Sequence, residues 1–305
     1  MERKTLADDS ILSRIGNTPL VRLPNIGREF PGVTLLAKLE WFNPGGSVKD
    51  RAAAGIVAAA EQAGHLGPDK TLLDASSGNT AVAYAMICAA KRCPAVLCVP
   101  SNASPQVLKT LQAYGVRLVL TSPLESSDGA IREARRLDAQ EPGKYFYSDQ
   151  YNNPANWQAH YRSTGPEIWE QTQGDVTHFI AGVGTSGTLM GTGRYLKEKN
   201  PAVQLIAVQP DAPLHGLEGL KHMATSIVPG IYEEQFPNQQ VEVGTEEAYA
   251  MVRRLAAEEG LLAGISSGAA LAAGLQTAAT LKQGNIVILF PDGGARYLNE
   301  EFWNE

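Results

Sequence analysis

The chain has 305 residues, long for a single hydrophobic core, so its length implies one large α/β domain or two smaller ones. Its net charge of −6, with no block of Lys and Arg, argues against a nucleic-acid groove or an anionic membrane surface as partner. No apolar run reaches membrane-spanning length, and the opening MERKTLADDS lacks the apolar centre of a signal peptide, so the expectation is a cytoplasmic protein. Cys88, Cys93 and Cys98 form no CxxC and read as packing residues.

Apolar patterning predicts strands and helices in near-strict alternation. A strand at 33–40 precedes a helix at 50–63, and a strand at 71–75 precedes a helix at 80–90. Strands at 95–100 and 116–121 are followed by helices at 104–115 and 128–140. Past a loop at 141–156, read as a domain seam, come a strand at 177–183, a helix at 188–200 and a strand at 204–210. The stretch 211–243 reads as irregular, ahead of helices at 245–260 and 268–281 and a strand at 285–290. Such alternation implies parallel sheet with right-handed crossovers, where ligands bind in the loops leaving the strands.

Four of those loops can carry chemistry. In NPGGSVKDR, Ser47 and Asp50 read as the start of a helix with Lys49 in its first turn, where the macrodipole disfavours a cation. Lys49 is either a surface lysine whose charge Asp50 absorbs or an amine made nucleophilic for Schiff-base chemistry. In DASSGNTAVAYA, Ser76, Ser77, Gly78, Asn79 and Thr80 either cap a helix or receive a carboxylate at its N-terminus.

In AGVGTSGTLMGTG, Gly182, Gly184 and Gly187 satisfy GxGxxG. The next strand ends at Gln209 and Pro210 without the ribose-binding acid a dinucleotide site needs, and no Lys follows Gly187 as in a nucleoside-triphosphate loop. Thr185, Ser186 and Thr188 suit a small phosphate monoester; otherwise the glycines serve close helix–strand packing. In GISSGAA, Ser266 is either a helix cap or a hydroxyl for a buried polar atom of a ligand.

An imine-forming lysine, a single-phosphate cradle, a carboxylate loop and a hydroxyl for a ring nitrogen together describe a pyridoxal phosphate site. NPGGSVKDR, SSGNT, GVGTSGT and GISSGAA, with RIGNTPLVRL, DQYNNPAN and LFPDGGARYL, resemble the cysteine synthase (O-acetylserine sulfhydrylase) family nearly end to end. The resemblance implies two three-layer αβα domains of the tryptophan-synthase-β-like, fold type II class, with the cofactor in the cleft between them. It places a larger phosphate-binding domain at 1–40 plus 152–305, and a smaller mobile domain at 41–151 carrying the lysine and the substrate loop.

Carried over residue by residue, Lys49 forms the Schiff base and is the base at Cα, and Asn79 bonds the ring hydroxyl. Gly184, Thr185, Ser186, Gly187 and Thr188 hold the phosphate, Ser266 faces the ring nitrogen, and Ser76, Ser77, Thr80 and Gln150 hold the substrate carboxylate. The implied reaction is β-replacement on O-acetyl- or O-phospho-L-serine by a sulfide donor, through an aminoacrylate, giving L-cysteine. Sister activities stand beside it: cystathionine β-synthase, serine or threonine dehydratase, diaminopropionate synthase, or a non-catalytic serine-acetyltransferase-binding homologue. The resemblance also implies a homodimer, with serine acetyltransferase or a sulfur-carrier protein as further partners.

Two departures stand out: Ala81 where the family has Gly, and APLHGLEGLKHMATSIVPG at 212–230 where it has a Gly-rich stretch. Lys221 in that stretch is either solvent-facing or a cation for a substrate phosphate, and His215 and His222 lack a third ligand for a metal.

Overall fold

A computed structural model describes residues 10–76 and 78–304. In chain order, a 3-10 turn at Ile11–Arg14 leads into β1 (Leu20–Arg22) and β2 (Val33–Leu39). Then come α1 (Lys49–Gln62), β3 (Thr71–Ala75), α2 (Asn79–Lys91), β4 (Ala95–Pro100) and α3 (Pro105–Ala113). They are followed by β5 (Arg117–Thr121), α4 (Ser126–Gln140) and β6 (Tyr145–Tyr147). The second half adds α5 (Ala155–Arg162), α6 (Thr164–Gln171), β7 (His178–Gly182), α7 (Gly187–Lys199) and β8 (Gln204–Pro210). It closes with β9 (Gln239–Val243), α8 (Thr245–Glu259), α9 (Ile265–Ala278) and β10 (Gly284–Phe290).

The alternation expected from patterning is present. The additions are β1, β6, β9, α5 and α6: three of five residues or fewer, and two helices of eight. Elements that short carry too few periods to stand out in an apolar pattern.

The chain forms two compact units. One comprises the described residues up to Gly16 together with Asn43–Asn156; the other comprises Asn17–Phe42 and the residues from Trp157 on. The division expected near residue 40 falls after Phe42, and a further one falls after Gly16, because Leu12 and Ile15 pack against the core of the smaller unit.

The smaller unit is a parallel sheet of order β5-β4-β3-β6. Strand alternation sends Leu72, Leu97 and Val99 to one face, against Ala53 and Val57 of α1, α2, and Val107 and Leu111 of α3. Leu73, Ala75, Val96 and Cys98 go to the other face, against Ala130, Ile131 and Ala134 of α4. Helices on both faces explain why β3 and β4 are apolar almost throughout. Helix α2 ends with Arg92 in the left-handed region (φ +57°) and the Cys93 amide donating to the Cys88 carbonyl at 3.0 Å. That cap sets the Cys93 and Cys88 sulfurs 3.1 Å apart as free thiols, filling the apolar contact of such a helix end.

The larger unit is a six-stranded sheet of order β1-β2-β10-β7-β8-β9, parallel except for β1 against β2. Leu35, Ala37, Ile180, Ile206 and Ile288 face α8 and α9. On the opposite face Lys38 of β2 is fully buried, its Nζ donating to Glu167 Oε2 and the Thr18 carbonyl at 2.7 Å and to Gln171 Oε1 at 2.9 Å. A buried ammonium is tolerated because a carboxylate and two neutral acceptors surround it.

Candidate active site

Helix α1 opens on Lys49, which is half-buried. The expected capping arrangement is replaced by another. The Lys49 amide donates to Ser47 Oγ at 3.3 Å, while the Asp50 carboxylate reaches back to the Gly45 amide at 2.5 Å. A Cβ on Gly45 would lie 2.3 Å from Asp50 Oδ1, so this tight turn requires glycine. The NPGG sequence therefore builds the turn that puts a lysine at the first residue of a helix, where the peptide dipoles favour an uncharged amine.

In the same unit the loop after β3 delivers Asn79 and Thr80 as the first residues of α2. Ser76 Oγ accepts the Gly78 amide at 3.3 Å; Ser77 lies outside the described residues. Thr80 and Gln150, seventy positions apart, are brought together. The Thr80 hydroxyl donates to Gln150 Oε1 at 2.9 Å, and Gln150 Nε2 donates to the Ala75 carbonyl at 3.2 Å. Both side chains are buried. Asn156 Nδ2 donates to the Gln150 carbonyl at 2.8 Å and fixes the segment that carries it. This residue lies in DQYNNPAN without a role assigned from sequence, since nothing local marks Asn156 from its neighbours. Ala81 is fully buried inside α2 and packs in the apolar core.

In the larger unit, β7 ends at Gly182 and α7 begins at Gly187. Ser186 turns the chain between them at φ +71°, a left-handed conformation that a serine holds only under constraint. Its side chain does not cap the helix, and Ser186 Oγ is buried with no hydrogen-bond partner among the described residues. Thr185 is also buried. Thr188 Oγ1 lies 3.4 Å from His160 Nε2, and His160 Nδ1 lies 2.9 Å from Thr164 Oγ1. His160 is thus a buried support for the loop that the sequence reading missed, a lone histidine on a short helix.

The stretch Gly219–Lys221 packs directly on this loop. A Cβ on Gly184 would meet the Gly219 carbonyl oxygen at 2.2 Å, and the Lys221 amide donates to the Val183 carbonyl at 3.0 Å. Lys221 is 9% exposed, so the solvent-facing reading does not hold.

Ser266, 4% exposed, stands in the first turn of α9. That turn is pinned to the loop after β10: the Gly264 amide donates to the Asp292 carbonyl at 3.0 Å, and the Tyr297 hydroxyl donates to Asp292 Oδ2 at 2.8 Å. Burial and the Asp292 carboxylate push the Tyr297 phenol well above its ordinary range, so it remains a donor. The loops after β7 and β10 and the start of α9 therefore share the carboxyl edge of one parallel sheet, where ligands bind in such folds.

Comparison with known proteins gives the context for these loops. Residues 11–292 match the model of the family described as pyridoxal-phosphate dependent enzyme. The chain is 50% identical over 305 residues to the cysteine synthase of Aquifex aeolicus, covering 98% of this chain and 93% of that one. The chain belongs to the cysteine synthase family.

Among solved structures, the cysteine synthase of Entamoeba histolytica superposes with a TM-score of 0.93 at 36% identity, over 100% of this chain and 93% of that one. An O-ureido-L-serine synthase superposes with a TM-score of 0.89 at 37% identity, over 97% and 95%. This cysteine synthase family member is a pyridoxal-phosphate-dependent enzyme of fold type II, acting on a serine-derived substrate and sulfide. The residues present fit the cofactor. The amides at the start of α7, with a buried Ser186 hydroxyl that has no partner among the described residues, suit a phosphate monoester, and Lys49 supplies the amine that an aldehyde needs.

Proposed function

We propose that the protein makes L-cysteine by replacing the acyloxy or phosphate group on Cβ of an activated L-serine with the sulfur of a sulfide donor. Bound pyridoxal phosphate supplies the electrophilic carbonyl and the electron-withdrawing ring that acidify Cα–H. Gly184, Thr185, Ser186, Gly187 and Thr188 hold its phosphate, with His160 steadying Thr188. Asn79 bonds the ring hydroxyl. Ser266 faces the ring nitrogen; as a neutral hydroxyl it does not drive protonation there as a carboxylate would. Lys49 anchors the cofactor and then takes the proton from Cα, a task suited to an amine whose charged form is disfavoured at a helix start.

The substrate carboxylate is received by Ser76, Ser77, Thr80 and Gln150. The observation that carries this assignment is the Thr80–Gln150–Ala75 chain. Because the Thr80 proton points to Gln150, the donors for a carboxylate are the amides opening α2 and the second Nε2–H of Gln150. Lys221, buried on the stretch that packs against the phosphate loop, supplies positive charge toward an anionic leaving group.

The test is cysteine formation from O-acetylserine and O-phosphoserine with sulfide, in wild type and Lys221→Ala. The reading expects cysteine from wild type and a selective loss of O-phosphoserine turnover in the variant. An unchanged preference removes Lys221 from the assignment, and keto acid with no cysteine removes the β-replacement reading. A second reading, another nucleophile at Cβ, is favoured by the likeness to the O-ureido-L-serine synthase, and a hydroxyurea arm in the assay resolves it. We also infer a cytoplasmic homodimer. The family resemblance supports the dimer, and the free thiols of Cys88, Cys93 and Cys98 suit a reducing compartment. Two copies by sedimentation are the expected result.

A further inference from the structure

The smaller unit buries an acid that the mechanism above does not use. Asp74 is the fourth residue of β3, two before Ser76, and is 1% exposed. Its Oδ1 accepts the Ala75 amide at 2.7 Å. The Ala75 carbonyl in turn accepts Gln150 Nε2, and Gln150 Oε1 accepts the Thr80 hydroxyl. The Asp74 carboxyl is therefore bonded to the same short segment that orients Gln150 and the start of α2. Its Oδ2 is buried near the Tyr84 hydroxyl of α2 and the Ser148 hydroxyl following β6, which are close enough to favour its charged form although none of the three meets full hydrogen-bond geometry among the described residues.

The surroundings leave Asp74 as the group that titrates near neutrality. Facing it are Tyr84 from α2, Tyr147 from β6, Ser148, Asp149 and Tyr151 from the following loop, and Cys98 from β4. Helix α4 contributes Arg135 beside Tyr147 and Asp128 near Tyr151. Burial lifts the three phenols far above their ordinary range and the Cys98 thiol to about 12, so all four stay neutral in physiological buffers. Burial acts most strongly on Asp74 as well. Ser148, the Ala75 amide and Tyr84 pull the other way, Asp149 adds to the rise, and the carboxyl titrates at about 7.

We propose that Asp74 is a positioning residue for the substrate carboxylate: protonated, it presents a neutral group behind the Ala75–Gln150–Thr80 hydrogen-bond chain, and ionised, it sets a buried negative charge against the incoming anion. The inference rests on the assignment of that loop to the substrate carboxylate. Linkage gives its sign. A carboxylate that binds better over neutral Asp74 holds the proton on, so affinity falls as pH rises through the Asp74 titration.

The experiment uses the holoenzyme and L-serine, which has the substrate's carboxylate and amine with a poor leaving group. Binding is followed by the visible absorption of the cofactor from pH 5.5 to 8.5, for wild type and Asp74→Asn. The variant keeps the Oδ1 acceptor and cannot ionise, and the ratio of the two Kd values at each pH cancels the titration of serine's own amine. The ratio of wild type to variant is expected to rise by at least ~5-fold between pH 6 and pH 8. A ratio that is constant across this range overturns the proposal while leaving the carboxylate loop in place. No binding by either protein at any pH overturns the loop assignment itself. Should Asp74→Asn not fold, Ser148→Ala carries the test. It removes the hydroxyl that lowers the Asp74 titration most, so the inflection moves to higher pH, and an unmoved inflection counts against the proposal.

Discussion

Gly184→Ala probes the cradle at the point where it has least room. A Cβ there sits 2.2 Å from the Gly219 carbonyl oxygen, whereas carbon and oxygen in ordinary contact stand about 3.3 Å apart. Both partners are backbone, so no side-chain rotation relieves the clash, and one segment must withdraw by roughly 1 Å. The Lys221–Val183 hydrogen bond ties the two segments together, so withdrawal either opens that bond or shifts the phosphate-binding amides. Overpacking of this kind costs about 1–3 kcal/mol. If that cost falls on cofactor binding, Kd rises about 5- to 150-fold. The assay is titration of pyridoxal phosphate into the stripped variant, followed by absorption. Gly219→Ala is the contrast: its Cβ meets open space, but φ is +87°, so it loses about 1–2 kcal/mol through backbone strain alone. Wild-type cofactor affinity and wild-type thermal stability together in Gly184→Ala would refute the packing argument.

Lys49→Ala is expected to abolish the visible Schiff-base absorption and to lower turnover by at least ~10³-fold, since base and anchor are lost together; spectrum and rate are read on one sample. Lys38→Ala leaves Glu167 facing a buried site without its cation and should cost about 3–5 kcal/mol in denaturant unfolding, with Lys38→Met recovering part of it. Asp74→Asn should change the pH dependence of stability. The folded-state carboxyl titrates at about 7 against an ordinary 3.8, so the folded protein binds this proton more tightly, and ionisation disfavours the fold as pH rises from about 4 to 7. The variant's unfolding free energy relative to wild type should therefore increase across that window, by up to ~4 kcal/mol, and level off above it. Parallel stability curves at pH 4.5, 6 and 8 would contradict this.

The fold was legible where apolar runs are long. β2, β3, β4, β7, β8 and β10 lie within a residue or two of where patterning puts them, as do the helices between except α9, which starts and ends three residues earlier. The glycine-rich loops were legible because several of their glycines mark close approaches, as at Gly45 and Gly184. What the sequence hid is tertiary. Nothing local says that Gln150 will bond Thr80, that Asn156 will hold Gln150, or that His160 will stand beside Thr188. Lys221 was ambiguous for the same reason: its burial depends on which segment packs against the phosphate loop. Asp74 was invisible in an apolar strand because alternation predicts where a side chain points, not whether its charge survives there.

The strand order of the larger unit has a bearing on how the chain is made. β2 leaves the ribosome well before its sheet neighbour β10, and β10 also joins β2 to β7. The four strands of the smaller unit, by contrast, all lie between residues 71 and 147, and the segment before Gly16 that packs on it has already emerged. Vectorial synthesis therefore favours the lysine-bearing unit as an early folding nucleus. The phosphate-binding sheet waits, with the apolar face of β2 unsatisfied, for a strand some 250 residues downstream, the interval in which a chaperone has most to protect.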